Sequence, residues 1–222
     1  MTIRTDFLQV GVSNTATQNF TLKTNNDGTA KLARGNFDAT TQDVINVNAS
    51  GVVDFPQGAT IGGSAGQKML LTASQATTSG TFVDFTGIPS WAKKVTVNFA
   101  DVSLAAAASP LIQIGAGAFE TTGYSSTGSY IGASSAGGTT STAGFVFGTA
   151  GAATDTRSGS CVLTLLGSNI WVASGAASNP SGTVTFFVSG SKTASGQIDR
   201  IRITPTTGAF DAGSVSLLIE GY

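Results

Sequence analysis

Residues 160–190 read "SCVLTLLGSNIWVASGAASNPSGTVTFFVSG". The runs "SCVLTLLG", "NIWVAS" and "TVTFFVSG" are short, rich in β-branched and aromatic residues, and divided by Gly, Ser, Asn and Pro, which is the pattern of strands separated by turns. No 3.6-residue apolar period joins them, so a helix is not expected here. The same grammar extends outward to "TFVDF" at 81–85, "KVTVNFADV" at 94–102, "LIQIGA" at 111–116, "GFVFGT" at 144–149, "IDRIRITP" at 198–205 and "SVSLLIE" at 214–220. Roughly nine strands within about 150 residues, with no helical stretch between them, predict an all-β antiparallel jelly-roll or β-sandwich domain.

Composition agrees. The 222 residues include 32 Thr, 25 Ser and 29 Gly, while charged residues make up only 10%, against about a quarter in an average soluble protein. These residue types favour strands and turns over helices. A net charge of -1 leaves no cationic excess to displace counterions from phosphate, so no nucleic-acid partner is expected. No apolar run approaches the ~18 residues of a membrane span, and no membrane insertion is expected. The segment "MTIRTDFLQV" at 1–10 lacks the basic stretch and apolar core of a secretory signal, which predicts assembly in the cytoplasm of the producing cell.

Histidine is absent, which removes imidazole-based catalysis and His-ligated zinc. The single cysteine, Cys161, lies within a strand-like run with no His to activate it, and reads as a buried small hydrophobe. No cofactor, metal site or catalytic residue is expected. Carboxylates are the remaining catalytic apparatus this composition offers: Asp84, Asp101, Glu120, Asp155, Asp199, Asp211 and Glu220. Asp199 and Asp211 bracket the strand that carries Arg200 and Arg202. A sugar-cleaving acid and base would need two of them together, whereas local ion pairs and loop caps need only near neighbours. The "GAGAFE" run at 115–120 lacks the third glycine and the following helix of a phosphate loop and reads as a strand end. Trp91 and Trp171 flank or occupy apolar strands and read as core anchors.

The first 58 residues carry short alternating runs, "NFTLKT" at 19–24, "TAKLAR" at 29–34, "DVINVN" at 43–48 and "VVDF" at 52–55. "NNDG" at 25–28 has the residues of a tight hairpin turn, so two consecutive hairpins are predicted. Their few large apolar residues could hardly stabilise the segment alone, and a homotrimer that intertwines these hairpins would bury them. "PQGATIGGSAGQK" at 56–68 reads as a linker. The predicted organisation is therefore an N-terminal hairpin arm over 1–58, a linker over 59–68 and a sandwich over 69–222. The 121–144 stretch, "TTGYSSTGSYIGASSAGGTTSTAG", is too long for a hairpin turn and reads as a long loop, of the kind that is either functional or mobile. Tyr124 and Tyr130 within it are candidate receptor contacts, as rigid aromatics with a polar tip.

The run "NFTLKTNNDGTAKLARGNFDATTQDVINVNASGVVDFPQG" at 19–58 resembles a module that recurs in tail-fibre and other appendage proteins of bacteriophages. The runs at 78–103, 169–175 and 196–222 resemble the C-terminal domain found beside it. The resemblance implies a homotrimeric virion structural protein, a short tail fibre or appendage. Its N-terminal part joins other virion proteins of the tail or capsid, and its outer domain attaches to a host-surface glycan or protein. Phe7, Leu8, Val10 and Phe20 are the candidate particle-docking residues. The nearness of the module to Met1 favours a short appendage over a long fibre, with a capsid decoration protein or head fibre as the alternative. A polysaccharide depolymerase is the third reading.

Overall fold

The computed structural model describes residues 7–10, 20–24, 30–34, 43–47, 50, 53–54, 60–61, 64–65, 67–179 and 183–222. The chain divides into two compact units, Met1–Gly66 and Gln67–Tyr222. All regular structure among the described residues is β-strand.

In the first unit β1 (Phe7–Val10), β2 (Phe20–Thr24), β3 (Ala30–Arg34), β4 (Asp43–Val47) and β5 (Val53–Asp54) form one antiparallel sheet in sequence order. The predicted strand pairs are present, with Leu22 opposite Leu32 and Val47 opposite Val53. The "NNDG" turn lies outside the described residues. β1 adds a strand to them: Phe7 faces Lys23 across the ladder, Leu8 faces Leu22 and Val10 faces Phe20. Within the expected linker, β6 (Thr60–Ile61) pairs with β7 (Ser64–Ala65). Its last residue, Lys68, already belongs to the sandwich, opposite Gly221.

The second unit opens with β8 (Lys68–Leu71), β9 (Gln75–Ala76), β10 (Val83–Thr86), β11 (Ala92–Leu104), β12 (Pro110–Ala116) and β13 (Ala118–Phe119). It continues with β14 (Tyr124–Gly132), β15 (Ala136–Ser141), β16 (Phe145–Val146), β17 (Arg157–Gly167), β18 (Ile170–Asn179), β19 (Val184–Thr193), β20 (Arg200–Pro205) and β21 (Phe210–Gly221). These strands form an antiparallel β-sandwich. The large sheet has nine strands in the order β15-β14-β19-β18-β17-β11-β21-β8, with β9 also on β21; the small sheet has five, β10-β20-β12-β13 with β16 on β12.

Period-two alternation fixes which side of each strand faces inward. Along β18, Trp171, Ala173 and Ala177 are buried while Val172, Ser174 and Ser178 are exposed. Inward residues of both sheets share one core, including Val95, Val97 and Phe99 of β11, Cys161 and Leu163 of β17, and Ile201 and Ile203 of β20. Each fully buried side chain of this size contributes about 1.5–3 kcal/mol relative to exposure. Phe99 meets Phe147 edge to face, with centroids 5.1 Å apart. Trp171 is buried, and Trp91 packs against the same core. Cys161 is fully buried, and burial pushes its thiol up to about 12, so the group packs as a hydrophobe.

The 121–144 stretch is not a long loop. It is the hairpin of β14 and β15, paired from Ser126 opposite Ser141 to Ile131 opposite Ala136. The inward positions of β14 before Tyr130 are Tyr124 and then Ser126 and Gly128, the latter two too small and polar to register as an apolar strand. They are small because another segment crosses close over them. A Cβ on Gly128 would lie 2.3 Å from the carbonyl oxygen of Gly148, and Ser126 Oγ accepts a hydrogen bond from the Val146 N–H at 3.0 Å.

Candidate functional site

Strand register gives the sandwich two ends. At one end Met69 lies opposite Glu220, which continues across the sheet to Lys94, Thr164, Val172, Ser191 and Ser125. The chain enters the unit here, at Gln67. The row through Ser158, Ser178, Thr185 and Ile131 marks the other end. Six residues of β18 separate the two rows, or about 20 Å at ~3.3 Å per residue.

Tyr130 lies at this second end. In the ladder it stands between Gly137 of β15 and Phe186 of β19. A Cβ on Gly137 would lie 2.6 Å from Tyr130 Cε1, so the ring lies across bare glycine backbone. The segment after β16 is tied down by hydrogen bonds from the Phe147 N–H to the Pro110 carbonyl and from the Gly148 N–H to the Phe187 carbonyl. Gly148 has φ +79°, and a Cβ there would lie 2.5 Å from Phe186 Cδ1, so only glycine fits without displacement. Beyond Gly148 a cleft of about 180 Å³ opens, lined by Tyr130, Thr149, Gly151, Asp155, Val184 and Phe186.

Asp155 supplies the charge in this cleft. Its Oδ2 accepts a hydrogen bond from the Ala152 N–H and its Oδ1 accepts one from Asn179 Nδ2, both at 2.8 Å. Directly behind is Arg157, 1% exposed. Its Nη2 donates to the carbonyls of Ala108 and Thr149 at 3.3 and 3.2 Å, and the guanidinium lies 4.3 Å from the centroid of Phe186. Burial pulls the guanidinium down to about 10, with the charge of Asp155 opposing that pull. It therefore stays charged at neutral pH. Arg157 Nε and Asn179 Oδ1 are buried with no hydrogen-bond partner among the described residues, an arrangement that ordinarily costs about 1–3 kcal/mol per group.

Tyr124 is a core residue, which corrects its expected role as a receptor contact. It is 3% exposed, stacked edge to face on Phe145 with centroids 5.0 Å apart. Its hydroxyl accepts from the Ile114 N–H at 2.8 Å and donates to the Glu120 carbonyl at 2.9 Å. Burial, more than the nearby Glu120 charge, drives its pKa above the ordinary tyrosine value. Phe7, Leu8, Val10 and Phe20 are brought together as facing or neighbouring ladder positions of β1 and β2.

The carboxylates singled out in the sequence meet cations, hydroxyls and amides. Asp84 grips Arg202 through two hydrogen bonds of 2.7 Å, and the Arg202 guanidinium lies between the rings of Phe119 and Phe82, at 4.1 and 4.3 Å. Asp199 accepts from Arg200 and from the Gly117 N–H; chiefly the Arg200 hydrogen bond holds its carboxyl down at about 2. Glu120 pairs with Lys192 at 2.6 Å and Glu220 with Lys94 at 2.8 Å. Asp101 accepts from Ser158 Oγ, and Asp211 accepts from Ser103 Oγ. "GAGAFE" is the turn between β12 and β13, with Gly117 at φ +75°.

Arg157, Asn179 and Phe186 were not singled out in the sequence. The available signal was the sparse charge of "GTAGAATDTRSG" at 148–159, where one Asp and one Arg stand in a stretch of small residues. No protein-family model, curated protein or solved structure matches this chain.

Proposed function

We propose that this chain is a structural and adhesive protein of a bacteriophage particle, a short homotrimeric appendage. Its N-terminal strands join neighbouring virion proteins, and its sandwich attaches to a glycan or protein of the host surface. The observation that carries this reading is the position of the Tyr130 cleft, at the end of the sandwich opposite to the one where the chain enters. A binding surface at that end stays accessible when the other end is held. The Gln67 end has the complementary character. Met69, Leu70 and Leu71 are 71%, 42% and 66% exposed on β8, the last strand of the large sheet, and an apolar edge of this kind suits burial against another subunit.

Two measurements test the reading. Light scattering on the purified chain should give three times its 22.2 kDa, and labelled antibody should decorate the particle at its appendages. A monomer that no antibody finds on the particle would overturn it. Labelling spread evenly over the head would move the protein to the capsid decoration class.

A further inference from the structure

We infer that the cleft beside Tyr130 binds one neutral sugar ring, an assignment that rests on the host-attachment reading for its choice of ligand class.

Shape comes first. A volume of about 180 Å³ lies below the ~300–1,000 Å³ of sites for drug-sized ligands. That leaves room for a single ring. Phe186, Val184 and the Tyr130 ring make the apolar part of the lining, which suits the C–H face of a pyranose. Asp155 and the Tyr130 hydroxyl make the polar part. The Asp155 carboxylate has about four acceptor positions, of which the Ala152 N–H and Asn179 Nδ2 take two. The Tyr130 hydroxyl makes no hydrogen bond among the described residues. An acceptor with spare capacity and a free hydroxyl are what the hydroxyls of a sugar require.

Charge selects the neutral class. Asp155 lines the cleft while Arg157 is shut behind Phe186, so an anionic ligand would meet a carboxylate and no accessible cation. A cationic ligand gains less than it would at a lone carboxylate, because the charges of Asp155 and the buried Arg157 interact. The support is rigid: Asn179 and Ala152 fix both oxygens of Asp155, and bare Gly137 seats the Tyr130 ring. Immediately behind that wall, a buried donor and a buried acceptor have no partner among the described residues. Such atoms are rare in native proteins, and a functional role is one of the reasons they persist.

Saturation-transfer NMR on the full chain tests this, with glucose, galactose, mannose and N-acetylglucosamine as probes and glucuronic acid and glucosamine as charged counterparts. At least one neutral sugar should receive saturation, with the charged relatives receiving less than about a tenth of it. Tyr130→Ala and Asp155→Asn should each weaken binding at least tenfold, and Lys94→Gln, at the opposite end, should leave it unchanged. Tyr130→Phe keeps the ring and loses only the free hydroxyl, so it should bind more weakly than the parent and more strongly than Tyr130→Ala; it tests the polar lining if Asp155→Asn fails to fold, and transfer equal to the parent's would overturn the role of the hydroxyl. No transfer to any neutral sugar would overturn the assignment, as would equal transfer to the charged ones or transfer undiminished in Tyr130→Ala. A particle-borne trimer that binds none of the panel removes the sugar site and leaves the attachment reading. Sugar binding that depends on Tyr130, in a protein absent from the particle, removes the attachment reading and leaves the site.

Discussion

Tyr124 and Tyr130 lie on one strand, six residues apart and on the same face of it, yet their surroundings differ completely. Tyr124 lies under the small sheet, where its hydroxyl is bound to backbone of β12 and its ring meets Phe145. Tyr130 lies beyond that cover, against glycine on one side and an open cleft on the other. The residue type is the same and the strand is the same. What differs is whether the second sheet reaches over the position, so the fate of an aromatic here is decided by tertiary cover and not by local sequence.

The largest expected effect tests that statement directly. Tyr124→Ala removes a buried ring and leaves the Ile114 N–H without its acceptor, so urea unfolding of the full chain should show a loss of about 3–5 kcal/mol. Tyr130→Ala should lose under about 1.5 kcal/mol, since a half-buried side chain gives up less packing. Equal losses would break the comparison.

How much of this was legible follows the same division. The strands of the covered region announce themselves by inward Val, Ile, Leu and Phe, as in β11, β17, β20 and β21, and their alternation sufficed to predict a sandwich. β14 and β15 were illegible as strands because Ser126, Gly128 and Gly137 occupy positions where a neighbouring chain segment or ring approaches closely, and hydrophobic periodicity cannot register a close approach. The cleft was half legible. Tyr130 and Asp155 stand out by type, but Arg157, Asn179 and Phe186 join them only through the pairing of β17, β18 and β19, which no local pattern encodes. Tyr124 was misread for the converse reason, since its Ser- and Gly-rich neighbours resemble a loop.

Two intermediate effects sharpen the boundary between the regions. Gly148→Ala puts a Cβ onto Phe186 at a left-handed backbone position and should cost about 2 kcal/mol in the same unfolding measurement. In Gly137→Ala the atoms nearest the new Cβ are those of the Tyr130 ring, which can swing into the cleft. Its stability loss should stay under about 1 kcal/mol, while sugar transfer falls. Arg157→Met tests whether the buried guanidinium is held for stability. Because its Nε lacks a partner among the described residues, an apolar side chain of similar length should leave stability within about 1 kcal/mol of the parent. A loss above about 3 kcal/mol would mean that the charge holds the region together.

The smallest effect is a slope in pH, to which one covered group and one exposed group contribute. Burial acts to raise the Glu120 carboxyl, but hydrogen bonds from Lys192 and Ser195 outweigh it and hold the group below its ordinary 4.5. Asp199 is held down at about 2, against 3.8, chiefly by Arg200. A carboxyl whose folded value is depressed contributes stability in full above its unfolded value and loses it as pH falls through the folded one. Unfolding free energy should therefore lose nothing through these two groups between pH 7 and about 4.5, then decline from 4.5 toward about 2. Glu120→Gln removes the upper part of that decline and Asp199→Asn the lower. Asp199 is exposed, so its share should shrink in 1 M salt, whereas the Glu120 share, shielded beside Lys192 and the Tyr124 ring, should persist. A salt response of equal size in both variants would show that the second sheet does not shield the Tyr124 region from solvent, and the contrast with Tyr130 would lose its electrostatic half.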